Sequence, residues 1–138
     1  MSNDIPRLDL ITQSVAISGF TDDGKSTGHI DLTDKIPAGS IVLGWKRAIT
    51  TRFTGGTGNH VSLAVGTPGN STAFSVQTFR EVSNNAGSKI ADVPEPESAA
   101  DAIGSERTIR VTVMDRVDFG QVDGGALTLY LYYLRTEA

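Results

Sequence analysis

The string Gly19-Phe20-Thr21-Asp22-Asp23-Gly24-Lys25-Ser26 follows the strand-like Val15-Ala16-Ile17 and satisfies the pattern G-x-x-x-x-G-K-[ST]. In that pattern a glycine-rich loop and a helix N-terminus hold the phosphates of a nucleotide. The chemistry requires Ser26 to open a helix, yet Thr27-Gly28-His29-Ile30-Asp31-Leu32 alternates as a strand does, and Pro37 follows soon after. Asp22 and Asp23 would also set two negative charges where phosphates must lie. Asp23-Gly24 between two alternating stretches is instead a hairpin signal, so a β-turn is expected here and nucleotide binding is not.

Other chemistries have fewer starting materials. His29 and His60 are the only histidines, no G-x-S-x-G string occurs, and neither His stands at a recognisable spacing from a Ser and an acid. With no cysteine, thiolate catalysis, thiolate metal sites and disulfides are excluded together. Asp22/Asp23 and Asp115/Asp118 are too sparse for a calcium loop. The 16 acids make chance carboxylate pairs inevitable, so such a pair alone does not argue for a glycosidase. The expectation is a protein that is not an enzyme, with no cofactor and no metal.

Binding is the remaining class. Trp45, Tyr130, Tyr132 and Tyr133 are the aromatics that could stack on a sugar, but they sit inside strongly alternating segments, which favours core or intersubunit packing. Arg47, Arg52, Arg80, Arg107, Arg110 and Arg116 outnumber the lysines, as suits an interface that meets carboxylates or, equally, a solvated strand face. A net charge of -4 disfavours a nucleic-acid partner. No apolar stretch approaches the ~20 residues of a membrane-spanning helix, so no membrane partner is expected. The first twenty residues, with Asp4, Pro6 and Asp9, do not read as a signal peptide, so synthesis in the cytoplasm is expected and the Asn70-Ser71-Thr72 sequon is incidental.

The elements that would position these residues are strands. At 138 residues, 38% hydrophobic and 20% charged, the chain suits one globular domain over 1–138, with 1–7 as a flexible N-terminal arm. In 108–119, Ile109, Val111 and Val113 share a face, and Val117 and Phe119 keep the same parity. In 126–134, Leu127, Leu129, Leu131 and Tyr133 lie on one face and Thr128, Tyr130, Tyr132 and Leu134 on the other. Apolar on both sides, this last strand is either central in its sheet or laid against another subunit.

Segment 40–53 places Ile41, Leu43, Trp45, Ile49 and Phe53 on one face, interrupted by Arg47. Pro37-Ala38-Gly39 and Thr67-Pro68-Gly69-Asn70 read as turns. Further strands are expected at 8–11, 14–18, 29–32 and 60–66, with Phe74, Val76 and Phe79 continuing the pattern. Residues 83–105, rich in Asn, Gly, Ser, Pro and acid, read as one long loop, with a single helical turn at 97–103 as the alternative. The expected fold is all-β, a β-sandwich of about eight strands.

The run Ile30-Asp31-Leu32-Thr33-Asp34-Lys35-Ile36-Pro37-Ala38-Gly39-Ser40-Ile41-Val42, then 61–68, then the strand 126–135 with its Tyr/Arg-rich end, resembles small all-β virion proteins of tailed bacteriophages, in particular capsid decoration (cement) proteins. The resemblance implies a jelly-roll-like sandwich, a homotrimer, that sits on the capsid surface of the virion and braces the major capsid protein lattice. It implies a docking or oligomer surface, for which Tyr130, Tyr132, Leu134, Arg135 and Trp45 are the candidates. The alternative is a carbohydrate-binding or receptor-binding β-sandwich of a phage tail or fibre.

Overall fold

Strand-forming residues in period-two runs, cut by glycine and proline turns, build two antiparallel sheets in the computed structural model, which describes residues 7–56, 61–74, 80–81 and 105–135. The strands are β1 (Arg7–Ala16), β2 (Thr21–Asp22), β3 (Thr27–Ile36), β4 (Ser40–Gly55), β5 (Val61–Gly66), β6 (Arg80–Glu81), β7 (Arg107–Asp115) and β8 (Val122–Arg135). The first sheet has the order β1-β8-β4 and the second β2-β3-β7-β5-β6. The fold is the expected all-β sandwich. The long loop as far as 104, the helical turn, His60, Val76 and Phe79 lie outside the described residues. So does the N-terminal arm except for Arg7, which belongs to β1 and stands opposite Arg135.

Strand β8 is central in its sheet, between β1 and β4. Its inward residues Leu127, Leu129 and Leu131 are fully buried. They meet Ile11 and Val15 of β1, Ile49 and Phe53 of β4, Val61, Leu63 and Val65 of β5, and Ile109, Val111 and Val113 of β7 in one apolar cluster. Burying a leucine of this kind stabilises the fold by about 1.5–3 kcal/mol, so β8 anchors the sandwich.

Several register shifts interrupt simple alternation, in β3 and β4, and two local features bear on the docking face and the core. In β4, Val42 pairs with Tyr133 and Gly44 with Tyr132, which leaves Leu43 as an extra residue. A one-residue bulge turns every preceding side chain to the other face. Val42 is therefore buried with Trp45, Ile49 and Phe53, whereas Ile41 and Leu43, expected on the inner face, lie half-buried on the outer one. Beyond β7, the buried Asp115 carboxylate accepts hydrogen bonds from the amides of Val117 and Asp118, both at 3.0 Å, and bends the chain into a turn. Val117 is thereby carried to the surface at 66% exposure, against the parity that groups it with Ile109, while Phe119 returns to the core.

The phosphate-loop string is a hairpin. The Asp23 amide donates to the Thr27 carbonyl at 3.0 Å, Thr21 pairs with His29 and Asp22 with Gly28. Gly24 takes a φ of 90°, and its amide donates to Asp22 Oδ1 at 2.7 Å. Ser26 leads into β3 and no helix follows. Gly28 is a glycine because the Phe119 ring lies where its Cβ would stand.

Candidate docking surface

The strand register brings three of the five sequence candidates together and separates the other two. On the outer face of the first sheet, Leu8, Leu10, Thr12 and Ser14 of β1 stand opposite Leu134, Tyr132, Tyr130 and Thr128 of β8. Ile41, Gly44, Lys46 and Ala48 of β4 flank the same β8 residues on the other side. Tyr130, Tyr132 and Leu134 thus share one surface, each half-buried by its neighbours. Arg135 has the inward parity of Tyr133 and lies at the end of the strand, between Arg7 and Ser40. Trp45 is corrected to a core residue: it is 1% exposed, and its indole Nε1 donates to the Phe74 carbonyl at 2.6 Å. The inward turn of β4 after its bulge puts it there.

Three features of this face escaped the sequence reading. Leu8 and Leu10 are exposed at 65% and 45%, two of the three large hydrophobics so exposed among the described residues. Their signal was available: even-numbered Leu8 and Leu10 against odd-numbered Ile11 and Val15 make β1 apolar on both faces, as β8 is. Lys46 is the second feature. Its ammonium lies 5.1 Å from the centre of the Tyr130 ring and 5.7 Å from that of Tyr132, a cation–π arrangement that holds the charge over both rings. The third is a groove of about 320 Å³ lined by Leu8, Leu43, Gly44, Trp45, Lys46 and Tyr132.

The outer face of the second sheet is built differently. Arg110 clasps Asp31 with two hydrogen bonds, Nε to Oδ1 at 2.7 Å and Nη2 to Oδ2 at 3.1 Å. The guanidinium holds the Asp31 carboxyl below its ordinary value, and the same hydrogen bond raises the pKa of Arg110. His29 Nδ1 lies 2.6 Å from Asp23 Oδ1, whose second oxygen accepts from the Thr27 hydroxyl at 3.0 Å. Lys35 Nζ donates to the Thr108 hydroxyl at 3.1 Å. His29 and Asp23 therefore brace the β2–β3 hairpin. Among the described residues no group of three or more His, Cys, Asp or Glu could hold a metal ion, and no helix is long and apolar enough to cross a membrane.

Comparison with known proteins reaches this chain through its fold. No protein-family model matches the sequence, and no curated protein matches it. Among solved structures, a chain of the cyanophage Pam1 capsid asymmetric unit is similar, with a TM-score of 0.58 and 19% identity over 97% of this chain and 88% of that one. A chain in the structure of infectious bursal disease virus, Gx strain, aligns at a TM-score of 0.48 and 16% identity, with 98% of this chain spanning 33% of that one, a likeness too loose to carry an argument. The cyanophage likeness establishes architecture alone: this chain is an all-β sandwich of the kind found in a phage capsid structure.

Proposed function

We propose that the chain is a structural virion protein of the capsid decoration (cement) type, which docks as a homotrimer on the assembled major capsid lattice of a phage head and stabilises it. The observation that carries this reading is the end-to-end match with a chain of a cyanophage capsid, 97% of one against 88% of the other, which makes the whole sandwich, rather than a fragment of it, the shared unit. The winding supports a jelly roll, because the chain passes from the first sheet (β1) to the second (β2, β3), back (β4), across again (β5 to β7) and back (β8).

The outer face of the first sheet is the surface on which this function would rest. Ten residues of β1 across three strands give a footprint on the order of 450 Å² per copy before side-chain relief, below the ~800 Å² per partner of a standard stable interface. A single contact of that size is weak, and a trimer presenting three of them to a repeating lattice gains by avidity. A glycan-binding role has less support. Of four candidate aromatics, Trp45 and Tyr133 are buried, and Lys46 covers the rings of Tyr130 and Tyr132 on which a sugar would stack.

The test is co-sedimentation of the purified protein with capsids assembled without it and, separately, with unassembled capsid subunits. Binding to the assembled lattice but not to subunits is expected, with a trimer in sedimentation equilibrium. Absence of lattice binding, together with a hit on a glycan array, would replace this reading with the tail or fibre one.

A further inference from the structure

The bulge in β4 does more than reverse its parity. With Leu43 extra and Gly44 opposite Tyr132, the outer surface of the first sheet lacks a side chain at its middle, and the groove opens there. It is lined by Leu8 from β1, Tyr132 from β8, and Leu43, Gly44, Trp45 and Lys46 from β4. Leu8, one of the lining residues, is 65% exposed. About 320 Å³ corresponds to on the order of ten water molecules. An apolar lining offers those waters few hydrogen bonds, so an apolar group that displaces them gains affinity. The single charge in the lining is the Lys46 ammonium, fixed over Tyr130 and Tyr132.

We propose that this groove is an anchor pocket for a partner protein: it takes one large apolar side chain, an aromatic above all, from a segment that carries a carboxylate close by to meet Lys46. The inference deepens the docking role and rests on the reading of this face as the docking surface. Charge complementarity selects the occupant. A second copy placed face to face about a two-fold axis would oppose the patch to itself and bring Lys46 toward Lys46, a like-charge contact in an apolar setting. A segment with an aromatic and an acid satisfies both components of the pocket, in the manner of a buried anchor at the centre of an interface.

The test uses indole-3-propionate as a minimal probe, with tryptamine as its cationic counterpart, titrated into isotopically labelled protein and followed through the amide resonances of Leu43, Gly44 and Lys46. A probe of this size is expected to saturate with a Kd of about 1 mM. The carboxylate should bind about 3- to 10-fold tighter than tryptamine. Lys46→Met should erase that preference while indole binding persists, and Leu8→Glu should weaken indole-3-propionate about fivefold or more. Both positions are on the outer face, so unchanged thermal unfolding of each variant confirms that the sandwich is intact.

No saturable shift of either probe up to ~10 mM would overturn the proposal. A carboxylate preference that survives in Lys46→Met would do the same, as would self-association of the wild type that blocks the probe and vanishes in Leu8→Glu, since the groove would then belong to a second copy. Capsid co-sedimentation separates the two levels. Probe binding without any lattice binding removes the capsid reading and leaves the pocket, whereas lattice binding undiminished in both Leu8→Glu and Lys46→Glu removes the pocket's role and leaves the capsid reading.

Discussion

The two outer faces of the sandwich answer water in opposite ways. On the second sheet three charged groups along β3 have polar partners: Asp31 has Arg110, His29 has Asp23, and Lys35 has the Thr108 hydroxyl. Such pairs cost little in water and add little to stability, because exposed ion pairs contribute about 0.2–1 kcal/mol. The first sheet shows the solvent Leu8, Leu10, Tyr130 and Tyr132 around one lysine. Nothing in the packing of the sandwich requires large apolar groups there, since Ile11, Val15 and the β8 leucines already fill the inner side. Apolar side chains left on one face, beside another that carries these polar pairs, are the contrast on which the proposed docking role of the first sheet rests.

That contrast is sharpest along β8, where inward and outward neighbours can be truncated in turn. Leu129→Ala should destabilise the fold by about 2–5 kcal/mol in denaturant unfolding, because it empties a fully buried site. Tyr130→Ala, one residue away on the half-buried outer face, should cost well under half of that. If the two losses were equal, the outer face would be structural and its assignment to a partner would fail.

The next effect is on association. Leu10→Asp combined with Tyr132→Asp should lower lattice binding at least about 30-fold in co-sedimentation, the loss typical of removing a central anchor, with little change in melting temperature. The mirror experiment on the second sheet, Asp31→Asn with Arg110→Gln, should leave lattice binding unchanged. A loss of binding from the second-sheet variant alone would reverse the assignment of the two faces.

Smaller effects lie in the pH dependence. Asp31 has a lowered pKa in the folded chain, chiefly through its hydrogen bond to Arg110. Its stabilisation is present above the ordinary carboxylate range near pH 4 and is lost as pH falls through the lowered folded value. Because the pair is solvent-exposed, Asp31→Asn should flatten the acid limb of a stability profile only slightly, by less than about 1 kcal/mol. Tyr133 moves the other way: burial, then the charge of Asp9, raises its pKa. Its contribution is complete below about pH 10 and declines as pH rises through the higher folded value, so Tyr133→Phe should shallow the alkaline limb. Unchanged limbs in both variants would mean that neither group titrates differently in the folded chain.

Much of this organisation was legible in the residues. Period-two alternation in 108–119, over Ile109, Val111 and Val113, and in 126–134 identifies β7 and β8 and their inner faces. Of the two positions that the two-sided apolarity of β8 allows, central or against another subunit, it holds the central one in its sheet. Asp23-Gly24 marks a hairpin strongly enough to overrule a phosphate-loop string, because the turn closes within the neighbouring residues Asp23 to Thr27 whereas the string needs a helix that those neighbours cannot form. Pro68-Gly69 likewise closes a turn in which Thr67 and Asn70 exchange backbone hydrogen bonds.

Where alternation slips by one residue, local pattern stops being informative. The bulge at Leu43 is invisible in a list of side chains, since it is set by how β4 registers against β8, and it decides that Val42 is core, that Ile41 is not, and that a groove lined by Leu43, Gly44 and Lys46 lies beside Tyr132. Val117 is a similar case: its parity is that of a core residue, and only the Asp115 carboxylate folded back on two amides removes it from the strand. Sequence by itself determined the class of fold, the turns and the inner face of the central strands, because each of those is set by neighbours along the chain. Tertiary structure alone decided which of the apolar residues remain outside and which of them meet, because that depends on register between strands more than seventy residues apart, Leu8 and Tyr132 among them.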